Sequence, residues 1–113
     1  MEITLSQIIK ELNLKVFSEP HTLENPVTGA YVSDLLSDVM GNSKLGDIWI
    51  TLQTHKNVVA IASLRDLAAV IFVNGLSPDA DTIEAANAEG IALLGTTEKT
   101  FEISGKLYNL IFR

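Results

Sequence analysis

A chain of 113 residues, 47% of them hydrophobic, has the size of one domain and the apolar content for a core, which excludes an intrinsically disordered segment. With no cysteine it has no disulfide, no catalytic thiolate and no cysteine-ligated zinc. The net charge of -6 and the scattering of Lys and Arg count against a nucleic-acid partner, and the longest apolar run, Leu67 to Val73, falls far short of the about 20 residues of a membrane span.

Thr4, with Gln7 three residues on, predicts a capping box, followed by a helix with Leu5, Ile8, Ile9 and Leu12 on one stripe and Asn13 at its end. Glu2, Lys10 and Glu11 stand where a signal peptide needs a basic segment and an apolar core, so the expected location is the cytoplasm. Lys15 to Ser18 reads as a first strand. The polar stretch from Glu19 to Asn25, with Pro20 inside and Pro26 after it, is a connection, and Val27 fits a short strand. Gly29 to Met40 then predicts a helix. Tyr31, Val32, Leu35, Leu36 and Val39 line its apolar face, Ser33, Asp34, Ser37 and Asp38 fill the other, and Gly41-Asn42 stops it because both tolerate positive φ.

Asp47 to Gln53 is the best strand in the chain, β-branched and aromatic, with Trp49 as a core or dimer-face residue. Thr54 to Asn57 breaks it, and Val58 to Leu64 forms a short apolar helix ending at Arg65-Asp66. Ala68 to Val73 is a continuous apolar run, as parallel strands covered on both faces require. Asn74-Gly75 ends that strand. Ser77-Pro78-Asp79 opens a helix with Ser77 as N-cap, Ile83 and Ala86 inward, and Gly90 as C-cap. Ile91 to Leu94 is another buried strand. Gly95-Thr96-Thr97 turns the chain into a last helix carrying Phe101, Leu107, Leu110 and Ile111. Strands alternating with helices predict an α/β fold with a mostly parallel sheet of about five strands.

From Asp47 to Leu110 the sequence resembles the DRTGG domain family. The resemblance rests on Val73-Asn74-Gly75 ending an apolar strand, Ser77-Pro78-Asp79 opening a helix, the turn Glu89-Gly90-Ile91, and Thr100-Phe101 at the last helix. Thr54-His55 stands where the family has its Asp-Arg pair, and only Gly75 remains of its Thr-Gly-Gly turn. The resemblance implies a single domain over residues 1–113 with a Rossmann-like three-layer fold, similar to the N-terminal domain of HPr kinase/phosphorylase, and a tendency to pair as homodimers. It also implies a regulatory or ligand-sensing role without catalysis. The alternative is an interaction or adaptor module of a redox, hydrogenase-associated or kinase-related system, with no ligand.

In open α/β sheets, ligands bind outside the carboxyl ends of the strands. The residues expected there are Thr54, His55, Lys56, Asn57, Asn74, Gly75, Gly95, Thr96 and Thr97. Their hydroxyls, amides and cations suit a small anion or nucleotide. Each also has an ordinary use, as a cap or a turn residue. His55 is the one attractive acid–base group, whereas His21 sits in a proline-flanked loop. Asp34 and Asp38, four apart on the expected helix, read as a solvated face, and Asp79, Asp81 and Glu84 as helix-start charges. No phosphate-loop, dinucleotide or nucleophile-elbow motif occurs, so neither an enzyme, a cofactor nor a metal is expected.

Overall fold

The computed structural model describes residues 2–113. Its main sheet has the order β2-β7-β6-β5-β4, built from Lys15–Val16 (β2), Gly29–Val32 (β4), Asp47–Thr51 (β5), Ala69–Phe72 (β6) and Leu93–Gly95 (β7). β4 to β7 run parallel, and β2 joins β7 antiparallel at one edge. A small ribbon, Ile3–Thr4 (β1) against Pro26–Val27 (β3), ties down the start of the chain.

Strand alternation sorts the core into two layers. Ile48, Ile50, Ala69, Ile71 and Leu94 meet Leu5 and Ile8 of helix Leu5–Glu11 (α1) and Ile103 and Leu107 of helix Thr100–Ile111 (α5). Trp49, Val70, Phe72 and Leu93 meet the other face. There they pack on Val39 of helix Leu36–Asn42 (α2), Val58 and Ala62 of helix Asn57–Leu64 (α3), and Ala86 of helix Ala80–Glu89 (α4). Successive parallel strands step in one direction, so α2, α3 and α4 fall on a single face, as same-handed crossovers require. The result is a three-layer α/β/α fold with a five-stranded, mostly parallel sheet. Among the described residues, no helix is long and apolar enough to cross a membrane.

The capping box at Thr4 and Gln7 is present, and Gly90 caps α4 in the left-handed conformation with φ 71°. Several expectations need correction. Gly29 to Met40 is not one helix: Gly29–Val32 is a strand beside β5, and the helix begins only at Leu36. Tyr31 and Leu36 do reach the core, but from two different elements, while Val32 and Leu35 are exposed. Neither Gly41 nor Asn42 has positive φ, because α2 continues through both and ends on Ser43 in extended backbone. Ser77 and Pro78 precede α4 rather than start it; Asp79 occupies the cap position, its amide held by the Thr54 carbonyl. Phe101 points outward, and Ile103 takes its expected place in the core. Trp49 and Phe72 are fully buried, which removes both from any dimer face. The Trp49 indole N–H donates to the Ser33 carbonyl at 2.8 Å, satisfying the one polar atom that its burial would strand.

Candidate functional site

Where β6 ends, Asn74 and Gly75 both adopt left-handed backbone, φ 60° and 72°. This reversal is stitched to the loop after β7: the Asn74 amide donates to the Glu98 carbonyl at 2.8 Å and the Gly75 amide to the Thr96 carbonyl at 2.9 Å. From there the two loops part, one leading to α4 on one face of the sheet and the other to α5 on the opposite face. Adjacent loops that diverge in this way leave a crevice at the strand ends. Here it is an open cleft of about 680 Å³.

Gly75, Leu76 and Ser77 form one wall and Gly95, Thr96, Thr97 and Glu98 another. The third comes from the N-terminal segment, with Glu11, Leu12, Asn13, Lys15 and Phe17, and Lys106 reaches in from α5. Gly95 has to be glycine for a steric reason. A Cβ there would stand 2.5 Å from the Phe17 ring, so its absence lets Phe17 lie against β7. The Lys15 ammonium sits 5.1 Å from the Phe17 ring centroid, and Lys106 pairs with Glu98 at 2.8 Å. Two lysines and two glutamates thus line one cleft, and their formal charges cancel.

Of the nine residues expected at a site, Gly75, Gly95, Thr96 and Thr97 line this cleft, and Asn74 braces it from behind through its amide. Thr54, His55, Lys56 and Asn57 lie on the same end of the sheet but outside the cleft. The Thr54 carbonyl accepts from the Asp79 amide and the Thr82 hydroxyl, and His55 Nδ1 meets Asp79 Oδ2 at 3.1 Å in solvent. Lys56 and Asn57 border a separate hollow between α3 and α4. Lys15, Phe17, Ser77, Glu98 and Lys106 went unforeseen. The one local signal was Asn13, a residue that tolerates the left-handed turn it makes (φ 52°) just before β2.

Asp34, Asp38 and His21 have local structural contacts away from the cleft. Asp34 lies ahead of α2, not on it, and accepts from the Thr51 hydroxyl at 2.9 Å and the Leu52 amide at 2.7 Å. Asp38 accepts from the Tyr31 hydroxyl at 2.8 Å and from the Asn42 side chain at 2.9 Å. The bond from Tyr31, with those from Ser33 and Asn42, lowers the Asp38 pKa; the same bond, aided by burial and the carboxylate charge, raises that of Tyr31. His21 packs against Gly90, its amide donating to the Gly90 carbonyl at 2.9 Å. Among the described residues, no three His, Asp or Glu side chains gather as a metal site.

No protein-family model matches this sequence, and no curated protein matches it. Among solved structures, the chain is similar to the CBS and DRTGG domains of the regulatory region of Clostridium perfringens pyrophosphatase, complexed with its activator diadenosine tetraphosphate. The TM-score is 0.68 with 18% sequence identity, over 90% of this chain. This chain spans 44% of that one, so the likeness takes in under half of the regulatory region. What the two share is the fold, which is DRTGG-related.

Proposed function

We propose that the chain is a single DRTGG-type regulatory domain that takes a small anionic ligand, nucleotides being the favoured class, in the cleft at the ends of β6 and β7. The observation that carries this reading is the parting of the two loops to opposite faces, which opens the cleft beside Lys15, Lys106 and the hydroxyls of Ser77, Thr96 and Thr97. Ammonium and hydroxyl groups are the donors that phosphate oxygens accept from, and Phe17 offers an aromatic surface to a base. Because Glu98 already holds Lys106, an incoming anion must displace it, which favours modest affinity and a strong dependence on salt. The pyrophosphatase regulatory region supports the ligand class, since its activator is a dinucleotide. A role outside catalysis is supported by His55, whose side-chain partner is a solvent-exposed Asp79 away from the cleft.

The test is thermal denaturation against nucleoside mono-, di- and triphosphates, diadenosine tetraphosphate and sugar phosphates. A ligand at a hundredfold excess over Kd should raise Tm by about 10 °C. Lys106→Met should abolish the shift, Glu98→Gln should enlarge it, and His55→Ala should leave it unchanged. A flat response to the whole panel sinks the proposal. A shift that survives Lys106→Met but vanishes with His55→Ala would move the site to the start of α3. The second reading, an interaction module without ligand, is favoured by the exposed aromatic side chains of α5.

A further inference from the structure

The backbone of β4 does not require its glycine: unlike Gly46, Gly75 and Gly90, Gly29 has no positive φ. What requires it is space. A Cβ at Gly29 would stand 2.7 Å from Oδ1 of Asp47, the residue in register with it on β5. Asp47 is only 7% exposed, yet its carboxylate has a single donor, the Lys44 amide at 2.9 Å on Oδ2. Oδ1, turned toward the bare Cα of Gly29, accepts no hydrogen bond from the described residues, and none of their cations pairs with it. A buried carboxylate with so few partners is costly to keep. Asp47 and Gly29 both line a groove of about 690 Å³ along the outer edge of β4. That edge is open: β4 pairs with β5 alone and contains no charge and no proline, whereas the opposite edge, β2, is two residues long and carries Lys15. Alternation puts Gly29 on the α2 face with Tyr31, and the exposed Ala30 and Val32 on the α5 face beside Tyr108 and Phe112.

We propose that the β4 edge takes up an extended segment of a different protein, and that a lysine or arginine of that segment reaches over Gly29 to bind Asp47. In strand addition, main-chain hydrogen bonds supply the affinity and alternate side chains supply the choice of partner. A residue of the added strand opposite Gly29 lies about 4.8 Å beyond it, a gap that the four-carbon stem of lysine or the fork of arginine spans. With no Cβ on Gly29 in the way, the cation meets Oδ1 in a charge-assisted hydrogen bond and gives the carboxylate its second donor. The neighbours of that basic residue point to the α5 face. There Ala30, Val32 and the rings of Tyr108 and Phe112, 4.8 Å apart, offer apolar contact. The chemistry of the partner follows: an extended segment with a basic residue between two apolar ones. An acidic residue in the central place meets Asp47 and is rejected. The net charge of -6 favours the approach of a basic segment. This groove shares no lining residue with the cleft at β6 and β7, so the two sites stand or fall separately.

The probes are terminally blocked peptides of alternating valine and threonine, in which the central residue between two valines is lysine, arginine, glutamine or glutamate. Titrated into the full chain labelled with nitrogen-15, the lysine and arginine peptides should shift the amides of Gly29 to Val32 and of Asp47. They should bind at least about tenfold tighter than the glutamine peptide, and the glutamate peptide weakest of all. Asp47→Asn keeps an acceptor for the Lys44 amide; it should erase the preference for a cation and leave the glutamine peptide's affinity in place. Tyr108→Ser, at an exposed position of α5, should weaken all four peptides alike, by about fivefold. No binding by any peptide up to about 5 mM overturns the proposal and leaves the edge to another occupant. Equal affinity for the four peptides overturns it, as does a lysine preference that survives in folded Asp47→Asn. Butylammonium chloride that binds at Asp47 as tightly as the lysine peptide overturns it too, by making the site one for a small amine.

Discussion

Tyr31 and Asp38 make a pH-sensitive contact with a calculable sign. The Tyr31 hydroxyl donates to the Asp38 carboxylate, so the pair is strongest with the tyrosine protonated and the aspartate ionised. Asp38 has its pKa lowered from the ordinary 3.8, so its share of stability is fully present above that value and is lost as pH falls through the depressed one. Tyr31 has its pKa raised from 10.0, so its share is fully present below that value and is lost as pH rises through the higher one. Tyr31→Phe keeps the ring and deletes the donor. The gap in urea midpoint between the native protein and this variant should therefore be constant from about pH 5 to about pH 9 and narrow on both sides. A gap that stays constant into acid would show that the Asp38 carboxylate does not depend on this bond.

At the scale of elements, one buried serine reinforces the β2–β7 pairing that joins the N-terminal segment to the sheet. The Ser18 hydroxyl donates to the Ile91 carbonyl at 2.6 Å and accepts from the Leu93 amide at 2.8 Å. Ser18→Ala orphans both groups and should cost about 3 kcal/mol, read from urea unfolding. A loss below about 1 kcal/mol would mean that β2 is held by its ladder alone. The β2–β7 pairing also explains why the site was only half legible in the sequence. Gly75, Gly95, Thr96 and Thr97 could be placed because each follows an apolar run that had to be a buried strand. Lys15 and Phe17 reach the cleft only because β2 pairs antiparallel with β7, a long-range contact with no local signature. The misreading of Gly29 to Met40 has a related cause. An exposed four-residue edge strand and the following helix place Tyr31, Val32, Leu35, Leu36 and Val39 at a spacing that imitates one helical stripe. The partner that makes Gly29–Val32 a strand, β5, comes later in the chain. Where a run was apolar throughout, as in β5 and β6, burial on both faces left one reading, and the structure agrees with it.

The whole molecule is stable in the middle and adjustable at the cleft. β5 and β6 are buried along their full length and hydrogen-bonded on both sides, so their amides should exchange with solvent only by global unfolding. Helix α1 is fixed in the core through Leu5 and Ile8, but the stretch from Asn13 to Phe17 is held by Leu14, a two-residue strand and the neighbouring Ser18, which predicts exchange there by local opening at lower free energy. One wall of the cleft belongs to this adjustable segment, and the others to loops anchored on the rigid strands. A ligand that spans the cleft must therefore slow exchange most in residues 13–17, where opening is cheapest, and much less in β6, where protection is already close to its limit. Hydrogen exchange followed by mass spectrometry, with and without the nucleotide that gives the largest thermal shift, measures this contrast. Equal slowing across the chain would mean that the ligand merely stabilises the folded state from another surface. Slowing confined to the start of α3 would assign it to Lys56 and Asn57 instead.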